Sequence, residues 1–323
     1  MADKFQTHEL QIPTQLAGMR LDRALAQLLP EYSRSRLKDW IDAGRVSVDH
    51  RQPRPRDVVL GGERVTVAAE MAINATVEPQ AIALDIVHAD AELLIINKPA
   101  GLVVHPGAGN RDRTLQNALL HFDPALAALP RAGILHRLDK DTSGLLVVAR
   151  TPAAHTELTR QMQQREIERQ YEAVCCGVMT AGGTVDRPIG RHRSDRVRMA
   201  VREDGREAVT HYRVLERFRA HTHIRVILET GRTHQIRVHF AHVRHPLVGD
   251  RTYGGRLLLP RGATPELIAA LRSFPRQALH AAQLKLLHPR SGRTAEWRAP
   301  LPEDFQGLLE ALRRDAAAAA KAR

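Results

Sequence analysis

The segment GILHRLDKDTSGLLVVAR, residues 133–150, sets polar HRLDKDTSG against the apolar run GLLVVA, which places Asp139 in a loop entering a strand. Arg137 and Lys140 beside it favour the charged form of its carboxyl, which can then serve as nucleophile or base. The same residues also fit a surface loop in which Asp139, Lys140 and Asp141 pair with one another. A second segment, LETGRTHQIRVHFAHVRHPLVGDRTYGG, carries a strand to Thr230, a tight turn at Gly231 and Thr233 as cap of a following helix. Arg232 stands at that turn, where its planar fork could grip a carboxylate or a phosphate in bidentate fashion. An ordinary turn arginine is the plainer account of it.

Metal chemistry has a weaker case. His239, His242 and His245 follow at intervals of three, and His221 and His223 alternate on a strand. With 17 histidines in the chain such spacings arise easily, and no cysteine pair or acidic partner completes a zinc site. These histidines read as surface or RNA-facing. Cys175 and Cys176 are adjacent, so they supply no disulfide framework, and a reducing compartment fits.

Around these segments the elements are legible. Leu21, Leu25, Leu28 and Leu29 recur at helical spacing until Pro30. Ser33 can cap a second helix whose buried stripe is Leu37, Trp40 and Ile41 and whose C-cap is Gly44. Arg34, Arg36 and Lys38 lie off that stripe, as RNA contacts or as a solvated face. RVSVDH and ERVTVAAE alternate as half-buried strands. Beyond a linker at Pro79, a larger region opens with strand, turn and strand. TLQNALLHF reads as a helix, and so does the segment after Thr151 and Pro152, an N-cap followed by proline at the first helical position. ERQYEAVCCGVM, EAVTHYRVLERF and HTHIRVILET alternate and are expected to pair antiparallel. A last helix runs from Glu303 to about Arg314, and DAAAAAKAR follows as a low-complexity tail.

The chain has 323 residues, enough for two domains. Its 48 Lys+Arg against 36 Asp+Glu give a formal charge of +12, which attracts polyanions. Aromatics at 4% argue against reading single strands on a platform of stacked rings. No basic leader or long apolar span is visible, so a cytoplasmic protein is expected.

Two short helices followed by small strands, with basic residues on the second helix, resemble the S4 RNA-binding domain over residues 18–84. Farther on, IINKPAGLVVHPG, HRLDKDTSGLLVVAR, RQYEAV, ETGRTHQIRVH and HPLVGDRTYGG, in this order, resemble the signature segments of the RluA-type pseudouridine synthases. The resemblance implies an α+β protein: an arm at 1–17, the S4-like domain, a catalytic domain at 85–314 with a long, mainly antiparallel mixed sheet flanked by helices, and a disordered tail at 315–323.

It also implies isomerisation of uridine to pseudouridine in 23S ribosomal RNA, at loop uridines of helix 69, during large-subunit maturation, with no metal or other cofactor required; apart from the resemblance, a monomer is expected. Asp139 would be the catalytic carboxylate, Tyr171 the ring that stacks on the flipped base, and Arg232 the partner that orients Asp139. Arg34, Arg36 and Lys38, with Arg137 and His136 beside the catalytic loop, would contact the RNA. Asp139 and Asp141 are too close in sequence to flank a glycosidic bond as a hydrolase pair must. The remaining alternative is a non-catalytic RNA-binding assembly factor.

Overall fold

The alternation of VTVAAE is met by a partner that sequence pattern alone leaves unmarked. In the computed structural model, which describes residues 5–29, 32, 34–70, 77–107, 109–195 and 197–321, strand β1 (Phe5–Gln11) pairs antiparallel with a later strand along its whole length, Gln6 facing Ala69 and Leu10 facing Val65. Residues 5–11 of the stretch expected as a polar arm are therefore strand, and their conformation comes from that pairing rather than from their own weak alternation.

Helix α1 (Leu21–Leu28) and helix α2 (Arg34–Asp42) follow, then β2 (Val46–Val48) and β3 (Arg64–Glu70), in a sheet of order β1-β3-β2. Leu21, Leu25, Leu37, Trp40, Ile41, Val65 and Val67 form one buried cluster, as the helical and strand periods require. Gly44 ends α2 at φ 72°, with its N–H on Ile41 O and that of Arg45 on Trp40 O. That is the two-bond glycine C-cap expected there. Pro30 and the Ser33 cap lie outside the described residues.

The chain divides between Thr76 and Val77. The linker around Pro79, expected to belong to the first domain as far as residue 84, is instead fastened to the second unit. Asn117 Nδ2 donates to Glu78 O, Gln80 N to Asn117 O, and Val77 and Leu84 pack on the larger core.

That core surrounds a mixed sheet. It is built from β4 (Ile86–Ala89), β5 (Leu93–Lys98), β6 (Ser143–Ala149), β7 (Glu168–Cys176) and β8 (Gly183–Asp186). A small hairpin, β9 (Ile189–Arg191) with β10 (Met199–Val201), stands apart from it. β11 (Val209–Arg217), β12 (His221–Leu228), β13 (Leu279–Leu287) and β14 (Thr294–Arg298) complete the sheet, in the order β4-β5-β6-β13-β7-β12-β11-β8 with β14 on β13. All neighbours are antiparallel except β6 and β13.

Helices cover both faces. Leu94, Ile96, Leu146 and Val148 share a cluster with α3 (Leu115–Phe122) and α5 (Gln235–His242), while Leu93, Ile95, Leu145 and Val147 meet α4 (Pro152–Gln163). α6 (Pro265–Ser273) packs with α7 (Glu303–Lys321). The anticipated Thr151 cap is present, its Oγ1 accepting from Ala154 N ahead of Pro152, and Thr114 closes a capping box with Asn117. The alanine-rich segment expected as a disordered tail continues α7 to Lys321. Alanine has the highest helix propensity, and buried Asp315 ties this stretch down by accepting from Arg219 Nη1 at 3.0 Å and Thr264 N at 2.8 Å.

Candidate active site

Asp139 lies in the loop just before β6, and the loop is held from all sides. Thr142 N donates to Asp139 O, Gly101 N to Lys140 O, Arg276 Nη1 to Asp141 O, and Gln277 Nε2 to Thr142 Oγ1. Beneath it Lys98, the lysine of INKPAG, is completely buried and donates to the carbonyls of Pro99, Leu102 and Lys140 at 2.7, 2.9 and 2.9 Å. Burial pushes its ammonium down to about 7, yet the three carbonyls match its three N–H groups. Sequence reasoning did not single out this lysine; a charged residue inside the strand LLIINK was the available signal.

The partner of Asp139 is Arg237 on α5. Its Nη1 donates to Asp139 Oδ2 at 3.0 Å, while Nε and Nη2 hold Asp250 Oδ2 and Oδ1 at 2.7 and 2.9 Å. Asp250 has no exposed side-chain surface and accepts further from Thr252 N and Tyr253 N. Burial opposes its charge, but the Arg237 hydrogen bonds and charge with the two amides outweigh that and hold its carboxyl below the ordinary value. Asp250 thereby fixes the fork that reaches Asp139. On the other side His234 Nε2 stands 3.8 Å from Asp139 Oδ1, and its Nδ1 pairs with the Tyr253 hydroxyl at 2.8 Å.

Arg232 was expected in the place that Arg237 takes. Its Nε donates instead to Glu207 O, and it lines the rim of the cavity. The helix does not begin at a Thr233 cap: His234 takes a left-handed conformation at φ 56°, and Gln235 Oε1 accepts from Arg232 N and Thr230 Oγ1. The helix phase that follows buries Arg237. An arginine among the apolar residues of QIRVHF, with the aspartate of VGDRTYGG farther on, was the signal for it.

Asp139, Tyr171, Arg237 and Arg232 line a single cavity of about 580 Å³, also walled by His105, Arg131, His136, Arg137, Arg165, Arg169, Arg206 and His234. Tyr171 on β7 is buried in the sheet core with its ring at this cavity, and burial raises its hydroxyl. Arg137 is exposed at the mouth. His136 lies against β6, where its Nε2 accepts from Val147 N at 3.3 Å. Burial, then the charge of Arg169, push it down to about 3, so it offers the cavity a neutral ring.

Other sequence candidates fall elsewhere. Arg34 holds Asp22 through Nε at 3.0 Å and Nη2 at 2.6 Å, and Lys38 stands 3.9 Å from Asp42. The Arg36 side chain lies outside the described residues. The histidines read as surface or RNA-facing are in part core: His221, His223 and His239 are buried, the last bonded to Thr210 Oγ1 and Arg187 O. Among the described residues no group of three His, Cys, Asp or Glu is placed to hold a metal. Cys175 and Cys176 are free thiols.

A carboxylate and an aromatic ring in one arginine-walled cavity, carried on a mixed sheet, define a class. Residues 92–242 match the RNA pseudouridylate synthase family and residues 19–65 the S4 domain. The chain belongs to the RNA pseudouridylate synthase family and is an RNA pseudouridine synthase. It is 57% identical over 310 residues to ribosomal large subunit pseudouridine synthase D of Xanthomonas campestris pv. campestris, covering 96% of this chain and 94% of that one. Against the protein of the same name from Escherichia coli K12 it is 58% identical over 299 residues, 92% of each. Among solved structures, human RNA pseudouridylate synthase domain containing 4 matches at TM-score 0.55 and 27% identity, over 71% of this chain and 92% of that one. Human RNA pseudouridylate synthase domain containing 1 does so at 0.54 and 26%, over 72% and 96%.

Proposed function

We propose that this enzyme converts uridine to pseudouridine in 23S RNA of the large ribosomal subunit, at loop uridines of helix 69, acting as a monomer in the cytoplasm during subunit maturation. The observation that carries the reading is Asp139 at the cavity wall, oriented by an arginine that is itself fixed by buried Asp250. The names and 57–58% identities of the bacterial relatives support the choice of RNA. Asp139 attacks the ribose or removes its 2′ proton, and Tyr171 supports the flipped base. Arg137 and Arg232 at the cavity, with Lys38 and Arg36 in the S4 unit, meet the phosphate backbone. Arg34, already committed to Asp22, contributes least.

The test uses a helix 69 stem-loop labelled with tritium at uridine C5, with chelator present. Pseudouridine formation releases that label. Asp139→Ala should release none and still bind the stem-loop with near-normal affinity. Residual pseudouridine from this variant, or modification confined to other RNAs, would sink the assignment. Binding should weaken linearly on a log–log salt scale.

A further inference from the structure

Arg169 lies on β7 two residues before Tyr171, on the same face, and is 8% exposed. It lines the cavity that holds Asp139. Its Nε is enclosed without a partner, and among the described residues its guanidinium makes no hydrogen bond or ion pair. Three neighbouring arginines are engaged, Arg237 by Asp139 and Asp250, Arg165 by Glu207 and Glu229, Arg232 by Glu207 O, while Arg131, Arg137 and Arg206 of the same cavity differ from Arg169 in being exposed. Gly231 makes the room, since a Cβ there would stand 2.8 Å from Arg169 Nη1. Nε is enclosed and the fork opens on the cavity, so a group that enters the cavity with an acceptor would meet donors that no protein atom has claimed.

A guanidinium only donates, so the entering group must bring an acceptor, and uracil presents its carbonyl oxygens for that. Positions i and i+2 on a strand are about 6.6 Å apart, so a base lying on the Tyr171 ring brings a ring substituent within reach of Arg169. We propose that Arg169 donates to a carbonyl oxygen of the flipped uracil and bears the negative charge of that ring while it is detached from ribose. This rests on the pseudouridine reading of the site. In the isomerisation the C1′–N1 bond breaks with its electron pair on the uracil, C5 returns a pair to C1′, and the C5 proton is exchanged for one on N1. No oxidant or other reactant is consumed. The detached ring carries its charge over N1 and the carbonyl oxygens, so the interaction is strongest after bond cleavage and accelerates the chemical step more than it tightens binding.

The experiment measures single-turnover rates and RNA affinity for the full-length protein and for Arg169→Met and Arg169→Lys, on a stem-loop with one target uridine. The same RNA carrying 2-thiouridine or 4-thiouridine at that position is the second substrate set. Arg169→Met is expected to slow chemistry about 100-fold or more, with affinity within about threefold and thermal stability not lowered, and Arg169→Lys to recover part of the rate. One thio substrate should slow the wild type and bring no additional loss in Arg169→Met, because sulfur accepts hydrogen bonds poorly. A rate within about threefold of wild type, a loss confined to affinity, or equal thio penalties in both proteins overturns the proposal. Should Arg169→Met not fold, Arg169→Gln, which removes the charge and keeps a polar side chain in the cavity, must show the same loss, and a normal rate there overturns the proposal too. A wild type that makes no pseudouridine overturns this proposal and the reading beneath it together, whereas an active wild type with an unaffected Arg169→Met overturns this one alone.

Discussion

Arg237 and Arg232 are five positions apart in one segment, and their surroundings assign them different work. Arg237 bridges two carboxylates through three hydrogen bonds, so its planar fork matters as much as its charge. Arg232 offers the cavity rim a partly exposed cation. Arg237→Lys is expected to lower kcat about 100-fold with little change in KM, since a point charge cannot hold Asp250 and aim at Asp139 at once. Arg232→Ala should raise KM and leave kcat within about threefold. Steady-state kinetics on the helix 69 stem-loop separates them, and an equal kcat loss in both variants would contradict the assignment. Asp139 and Tyr171, which the residues alone left open to a surface-loop aspartate and a core tyrosine, were singled out by the family resemblance of their segments, and both line one cavity. Arg237 was not singled out. Its direction depends on where α5 starts, and a left-handed His234 with Gln235 in the capping role leaves no pattern that a Ser/Thr cap rule would detect.

Strand β6 is the element that makes the Asp139 loop rigid, and its position depends on the close approach of β6 to β13 at Gly144. The residue sits at φ 112°, and a Cβ there would lie 2.3 Å from Ala281 O and 2.5 Å from Ala281 N. No side chain adjusts to relieve contacts with backbone. Gly144→Ala should therefore lower the unfolding free energy by more than about 3 kcal/mol, combining a strained φ with overpacking. Chemical denaturation reads this directly, and an unchanged midpoint would show that the two strands are free to separate. Most elements of the sheet were readable from alternation and caps, because half-buried strands and Thr-capped helices carry their determinants locally. What was not readable had its cause elsewhere in the chain. β1 is defined by β3, and the end of α7 by an ion pair with Arg219, so the sequence pattern at residues 5–11 and 315–321 looked like an arm and a tail.

For the whole molecule, the surplus of cations foretold a polyanionic partner but not which cations are free to meet it. Arg34 and Arg20 both serve Asp22, whose side chain is 3% exposed, and Arg276 is committed to Asp304. Arg34→Ala should cost about 1–2 kcal/mol of stability while changing RNA affinity less than Lys38→Ala does. Buried histidines set a second global property. His136, His221 and His280 are pushed down to about 3, 4 and 4, in each case mainly by burial. In the unfolded chain they protonate near pH 6.5. As pH falls from 6.5 towards 4 the unfolded state takes up protons that the folded state refuses, so stability falls, by at most about 1.4 kcal/mol per pH unit for each histidine. Below that window Asp250 and Asp304, held under their usual values, lose their contribution in the same direction. Melting temperature should be highest above pH 6.5 and drop steadily towards pH 4.5, and a flat profile would refute neutral burial of these rings. His221 sharpens the test, because neither of its ring nitrogens has a partner among the described residues. His221→Leu sacrifices no hydrogen bond, so it should leave stability at pH 7.5 nearly unchanged and make the decline towards pH 4.5 shallower.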